Sequence, residues 1–288
     1  MGYDSFKVDF IGIGVDKAAT SWIFNCLKEH PQICGSSRKE VHFFDKNFER
    51  GLEWYAKFFA HCADDKIKGE YTVSYFVHGS SAERMYSLFP QARLLLCLRH
   101  PLEKLISKYY FDRSRGKTSR SIDDYARNFP KEQLLYHQHL ERFLQYYPRE
   151  QIHIIIYKDL SEDPVNVVRG LYDYLGVDDS FLPSLIQEKR YATSMSMAKF
   201  MFVNRFLWKA RGVVMKSKFS KLLVPFLKKS GVNWLANYIF KLNRRKKDRG
   251  KLEKKYPSPE QQEDIKNYCR QDIEQLEQLL QRDLSFWK

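Results

Sequence analysis

Lys17, Thr20 and Ser21 fall within one short stretch, "FIGIGVDKAATSW" at 10–22, which brings together a cation and two hydroxyl donors. The residues before them read as a buried strand and those after them as a helix start. A helix start leaves backbone N–H groups without partners, so the stretch offers a site for phosphate or sulfate. An ordinary strand-to-helix turn with Thr20 as its N-cap would use the same letters. Further along, "LLLCLRHPLEKLISKYY" puts Arg99 at the end of an apolar run and Ser107 two turns into the helix that follows. A forked guanidinium with one hydroxyl is a clamp for a second anion. Between the two lies "KEVHFFD", which contains Glu40, His42 and Asp45.

Two nucleotide-binding patterns fail on residues. Walker A requires Gly-Lys-[Ser/Thr], whereas Lys17 is followed by Ala18, Ala19 and Thr20. The dinucleotide fingerprint would place a glycine where Lys17 stands. What survives is the physical arrangement, a strand, a turn and a helix start carrying donors.

Such donors need elements to hold them. "FKVDFIGI" (6–13), "ARLLLCLRHP" and "QIHIIIYKDL" read as buried strands, and "TSWIFNCLKEHP" as a helix ended by Pro31. Pro101 suits the first turn of a helix running through Phe111, and "PVNVVRGLYDYLGV" is an amphipathic helix closed by Gly176. "YAKFFAHC" suits a helix and "GEYTVSYF" a short extended piece. Strands alternating with helices imply an α/β fold with a central parallel sheet. Ligands bind such sheets at the carboxyl ends of strands, where Lys17 and Arg99 both fall. No internal repeat is visible.

The chain has 288 residues, 43% of them apolar and 15% aromatic, enough for a real core and against global disorder. Its net charge of +14 is local: 199–255 holds 18 Lys/Arg against only Asp248 and Glu253. Such a block suits phosphate-rich partners. It has three readings: a helical subdomain with a solvated charged face, a membrane-surface segment mixing Trp, Phe and Leu with lysine, or a grip on a polyanionic glycan. "PSPEQQEDIKNYCRQDIEQLEQLLQRDL" reads as a C-terminal helix with Ile265, Cys269, Ile273, Leu276 and Leu280 in one stripe, followed by Trp287 for docking. The five cysteines are scattered without metal-ligand spacing and read as reduced thiols of a cytoplasmic protein. No signal peptide and no apolar run of transmembrane length is seen.

"DKAATSW", "LRHPLEKLISKYY" and "KEVHFFD" with "GLEWYAKFF", taken in order and spacing, resemble the sulfotransferases that use 3′-phosphoadenosine 5′-phosphosulfate (PAPS), and most of all their heparan sulfate glucosaminyl branch. The resemblance runs over roughly residues 8–185. It implies a P-loop-like three-layer fold, a core over about 6–190, a basic helical insertion over about 195–255 and a C-terminal helix over about 258–288, all as one domain. It implies that Lys17, Ala18, Ala19, Thr20, Ser21 and Trp22 hold the 5′-phosphosulfate, and that Arg99 and Ser107 hold the 3′-phosphate. It further implies Glu40 as the general base toward an acceptor hydroxyl, with His42 and Asp45 lining the acceptor side and orienting it. Lys17 would stabilise charge on the bridging oxygen. Ala19 stands where the family has glycine, and Tyr71 where the heparan branch has lysine beside the acceptor. Lys189 or Arg190 would stand in for the family's closing loop over the 3′-phosphate.

The resulting expectation is transfer of a sulfuryl group from PAPS to a hydroxyl of a saccharide, glycolipid or other glycoconjugate. No metal is expected, because no carboxylate cluster suits Mg²⁺. Contact with an anionic membrane fits the basic segment, and no nucleic-acid partner is expected. The rivals are a P-loop kinase or NTPase and a non-catalytic membrane- or polyanion-binding protein built on 199–255.

Overall fold

The computed structural model describes residues 6–186 and 255–288. Lys189, Arg190 and, apart from Lys255, the basic stretch 199–255 lie outside the described residues.

Five strands form one parallel sheet in the order β2-β3-β1-β4-β5. They are β1 (Phe10–Gly14), β2 (Ile33–Gly35), β3 (Ile67–Tyr71), β4 (Arg93–Leu98) and β5 (Ile152–Ile156). All four pairings are parallel, with Phe10 opposite both Gly69 and Arg93. Every residue of β1 and the last five of β4 are buried. That is why these strands are continuous apolar runs rather than alternating ones: a parallel sheet is covered on both faces. The first strand starts at Phe10, later than the expected 6–13, although Asp9 just before it already pairs with both neighbours: its amide donates to the Lys68 carbonyl at 2.8 Å and its carbonyl accepts from the Arg93 amide at 2.9 Å.

The helices follow the strands as the pattern requires. Helix α1 (Thr20–Glu29) links β1 to β2, and α2 (Gly51–Ala56) and α3 (Ser81–Leu88) flank β3 in the chain. Helix α4 (Pro101–Ser114) follows β4 and begins at Pro101 as expected. Helices α5 (Ile122–Arg127) and α6 (Tyr136–Leu144) precede β5, and α7 (Tyr157–Glu162) and α8 (Pro164–Leu175) follow it. Helix α8 has Asp163 capping the Asn166 amide, Pro164 in its first turn and Gly176 in the left-handed conformation at its end. Each of these is a local signal that the letters carried. The last helix, α9 (Pro259–Leu280), buries Ile265, Cys269, Ile273 and Leu276.

The chain divides into two compact units. The first takes in, of the described residues, 6–104, 130–186 and 263–288. It holds the whole sheet. Here α9 is fastened to α6 by Asp272, whose two carboxylate oxygens each accept an amide hydrogen, from His137 and Gln138, at 3.0 Å. These are first-turn N–H groups of α6, which the helix itself cannot satisfy. Trp287 is buried with its ring 5.9 Å from that of Tyr136.

The second unit takes in 105–129 and 255–262. Its centre is Asp112, which accepts from the Tyr125 hydroxyl at 2.8 Å and from Lys108 at 3.2 Å. Tyr109 is buried and donates to the Arg120 carbonyl, and Tyr110 pairs with the Lys255 backbone at 2.7 and 3.2 Å. Tyr109 is thus a packing residue, while Tyr110 is half-buried.

Candidate active site

In the sheet order, β1 sits between β3 and β4. The chain leaves β1 toward β2 on one side and β4 toward β5 on the other, so the crevice at their carboxyl ends is the topological switch point. Lys17 follows β1 and Arg99 follows β4. Arg99 Nη1 donates to the Lys17 carbonyl at 3.0 Å, and Nη2 meets Glu103 Oε2 at 3.1 Å. The Tyr136 hydroxyl donates to the Arg99 carbonyl at 2.7 Å, and the guanidinium lies over the Tyr157 ring at 4.5 Å. Among the described residues, Arg99 Nε is buried without a hydrogen-bond partner. Held on four sides with a donor left over, Arg99 suits a bound oxyanion.

The Lys17 loop is shaped by its backbone. Lys17 (φ 68°) and Ala19 (φ 57°) are both left-handed. That conformation is natural for glycine and costs other residues about 1–3 kcal/mol. Thr20 is the first residue of α1 rather than its cap: Ala19 occupies the N-cap position and no side chain caps it. Thr20 is buried and Ser21 exposed. Ala18 is wholly buried, and Trp22 Nε1 donates to the Leu185 carbonyl at 3.3 Å. Ser107 is half-buried on α4 and belongs to the second unit.

The glycines before the loop do something other than cradle an anion. A Cβ on Gly12 would sit 2.2 Å from the Tyr71 ring, and one on Gly14 would sit 2.7 Å from Phe76 Cβ. They are small because aromatic side chains lie across β1.

The "KEVHFFD" segment lies after β2. Glu40 (φ 61°) and His42 (φ 59°) are left-handed, and Phe43–Asn47 forms one wide π-type turn. The Glu40 amide donates to the Tyr71 carbonyl at 3.1 Å. Its carboxylate accepts from Lys39 Nζ at 2.6 Å and from the Val73 amide at 3.2 Å. His42 Nδ1 is 3.0 Å from Asp45 Oδ2, and Nε2 is 4.0 Å from Glu40 Oε2. Asp45 also accepts from Ser74 Oγ at 2.6 Å. Burial alone would raise the Asp45 carboxyl; the hydrogen bonds from His42 and Ser74 and the charges of His42 and Lys46 hold it below its ordinary value. A charged Asp45 accepts the proton on Nδ1, which turns Nε2 toward Glu40. Asp45 is thus an orienting partner of His42.

Behind this group lies Glu70, fully buried on β3. It accepts from Tyr75 and Thr72 hydroxyls at 2.6 Å each and from Tyr55 at 3.2 Å. The Tyr75 oxygen in turn accepts the Phe43 amide at 2.8 Å, and Thr72 Oγ1 accepts the His42 amide at 3.4 Å. One carboxyl group thereby pins the backbone at His42 and Phe43. Burial pushes it up to about 7, against the pull of its three hydroxyl donors.

Lys39, Glu70, Thr72, Ser74 and Tyr75 were not singled out from the sequence. The signal for Lys39 was its adjacency to Glu40. For the others it was the run of polar and hydroxyl residues in "GEYTVSYF", which is unusual just after a buried strand. Tyr71 is fully buried, donates its hydroxyl to the Gly14 carbonyl at 2.8 Å, and carries Lys39 Nζ over its ring at 5.5 Å.

The cysteine expectation is corrected. Cys34 and Cys62 form a disulfide, and Cys26, Cys97 and Cys269 are free and buried. Linear spacing hid the pairing because 28 residues separate the two sulfurs. No helix among the described residues is long and apolar enough to cross a membrane.

The human heparan sulfate glucosamine 3-O-sulfotransferase 6 is 30% identical over 175 residues, 57% of this chain and 51% of that protein. The membrane-associated sulfotransferase kil1 of Dictyostelium discoideum is 35% identical over 116 residues, 39% of this chain and 25% of that protein. The chain thus spans about half or less of the length of these relatives. A sulfotransferase from Alicyclobacillus acidocaldarius shares the fold, with a TM-score of 0.66, 21% identity, and coverage of 98% of this chain and 99% of that one. The family model described as "Sulfotransferase domain" matches residues 7–277, and the chain belongs to that family.

Proposed function

We propose that the chain transfers the sulfuryl group of PAPS to a hydroxyl of a saccharide or glycoconjugate. The observation that carries this is the switch-point pair: Arg99 donates to the Lys17 carbonyl, while the Glu40 carboxylate hangs from the adjoining strand ends. Donors gather at one end of the crevice and a carboxylate at the other, which suits a polyanionic donor substrate and an acceptor that must lose a proton. The residues of the first unit fit PAPS by their donor chemistry: Lys17, Thr20, Ser21 and the α1 amides for the 5′ end, Arg99 for the 3′-phosphate.

PAPS supplies an activated sulfur whose bond to a phosphate oxygen breaks as the acceptor oxygen attacks. Glu40 takes the acceptor proton. Lys39 and the Val73 amide hold its carboxylate in place, and His42, oriented by Asp45, flanks it on the acceptor side. Lys17 stabilises the charge that gathers on the departing oxygen.

The names of the human and Dictyostelium relatives bear on the acceptor and on location. A saccharide hydroxyl is in keeping with the first, and association with a membrane is in keeping with the second. A cytoplasmic site of action no longer has the cysteine pattern behind it, since a persistent disulfide fits an oxidising compartment. Titration calorimetry with PAPS and with adenosine 3′,5′-bisphosphate tests the donor assignment. Binding of both, lost or weakened in Arg99→Ala, is expected; no binding of either would overturn it. Transfer of labelled sulfate to heparan-type saccharides or to a glycolipid then separates the acceptors.

A further inference from the structure

We propose that Cys34, His61 and Cys62 form a redox-gated binding site for a divalent cation of the zinc class, closed as a disulfide when oxidised and open to the cation when reduced.

The three side chains meet at the β2 edge of the sheet in the first unit. His61 Nε2 lies 3.5 Å from Cys34 Sγ and 3.8 Å from Cys62 Sγ. A tetrahedral zinc centre with ordinary Zn–S and Zn–N bonds has N-to-S edges of about 3.6 Å and S-to-S edges of about 3.8 Å. Both histidine edges already match. Only the sulfur–sulfur edge must lengthen, and the Cα atoms, 5.7 Å apart, allow that by side-chain rotation. All three ligand atoms fall within 4.8 Å of one another. His61 is exposed and both cysteines are half-buried, so cation and reductant can reach them. The Cys62 amide donates to the Phe59 carbonyl at 2.8 Å, which fixes the backbone that carries two of the three ligands.

The chemistry balances with a dithiol as reductant. Two electrons and two protons pass to the Cys34–Cys62 bond and give two thiols, while the dithiol closes to its own disulfide. A cation then displaces both thiol protons and binds two thiolates and the neutral imidazole, leaving a fourth position for water. The consequence is mechanical as well. Cys34 and Cys62 bracket the segment that carries Glu40, His42 and Asp45, so either the disulfide or the cation joins its two ends.

Co²⁺ is the probe, with the full chain reduced by dithiothreitol and freed of it under anaerobic conditions. The expected result is one equivalent bound, with thiolate-to-cobalt charge-transfer and tetrahedral d–d bands that Zn²⁺ bleaches. The oxidised chain should show neither band. Cys26, Cys97 and Cys269 are buried and do not compete in a folded chain. Replacing either cysteine would remove the disulfide along with a ligand, so His61→Ala decides it, because that variant keeps both cysteines. It should form the disulfide, melt cooperatively and, once reduced, bind Co²⁺ roughly tenfold or more weakly for want of one ligand in three. Absence of charge-transfer bands in the reduced wild-type chain, or wild-type affinity in reduced His61→Ala, overturns the proposal.

Discussion

The two ends of the crevice are built on different principles. At the anion end the donors stand at the ends of β1 and β4, and backbone carbonyls take part in holding Arg99 beside the Glu103 carboxylate and the Tyr157 ring. Arg99 is fixed through the Lys17 carbonyl and through its own carbonyl on Tyr136, and the loop takes its shape from two left-handed residues. At the proton end side chains hold side chains: Asp45 on His42, Lys39 on Glu40, and Glu70 through Tyr75 and Thr72 on the loop amides. A backbone-made site tolerates changes of residue that keep φ and ψ, whereas a side-chain network fails when one member changes. Damage at one end should therefore weaken donor binding, and damage at the other should slow turnover.

Glu40→Gln tests the difference most severely. Loss of the base should lower kcat by about 10²–10⁴-fold. The dissociation constant of adenosine 3′,5′-bisphosphate, read by calorimetry, should stay where it was. A variant that loses both would mean the ends are not separate.

Arg99→Ala is the complementary break. Hydrogen bonds to a charged group contribute about 1.5–3 kcal/mol each, so losing one predicts a Kd roughly 10–150-fold higher for adenosine 3′,5′-bisphosphate. With PAPS raised to saturation, kcat should recover most of its value. A fall in kcat with an unchanged Kd would place Arg99 with the chemistry instead.

The same contrast explains what could be read in the letters. The placing of Lys17 and Arg99 was legible because its parts are local: an apolar strand, a turn, then Lys17 or Arg99 at a fixed offset before a helix. Pro101, Gly176 and the α9 stripe were legible for the same reason, each being a signal within one or two turns. Asp45 as partner of His42 was half legible, three residues apart but in a π-type turn that no helical period predicts. Glu70 was not, since its role runs through contacts with Tyr55 and Tyr75, and through the latter to the Phe43 amide. Gly12 and Gly14 were misleading for a physical reason. Nothing in the letters beside them shows it, yet aromatic rings from elsewhere in the chain demand their small size. The Cys34–Cys62 pair needed the pairing of β2 with β3 to bring distant segments together.

Glu70→Gln sharpens the account of the proton end with a smaller effect. The amide keeps the volume and one acceptor but faces hydroxyl donors with its NH₂ group, so the hold on His42 and Phe43 loosens. Turnover should fall about tenfold, the loss of one net hydrogen bond, with the KM for PAPS unchanged. Stability supplies a second readout. The folded carboxyl titrates near 7 against an ordinary 4.5, so between those values the folded chain holds the proton that the unfolded chain has released. Raising the pH through that window therefore costs the wild type stability, and below it the contribution is fully present. The Gln variant should lack this decline. Thermal melts from about pH 4 to pH 8 on both chains compare the slopes, and parallel curves would remove Glu70 from the account.

Ala19→Gly is the mildest test and acts on the backbone-made end alone. Ala19 is left-handed at the N-cap of α1, where its Cβ is costly and no side-chain hydrogen bond compensates. Glycine removes that strain, but it also gives the unfolded chain more freedom, which offsets roughly 0.5–1 kcal/mol. The balance predicts a gain of about 0.5–1 kcal/mol, seen as a rise of a few degrees in Tm. Because the loop's φ and ψ stay the same, affinity for adenosine 3′,5′-bisphosphate and kcat should both be nearly unchanged. If affinity instead rises tenfold, the Ala19 methyl group crowds the phosphate, and the loop binds by its shape around the ligand as well as by its donors.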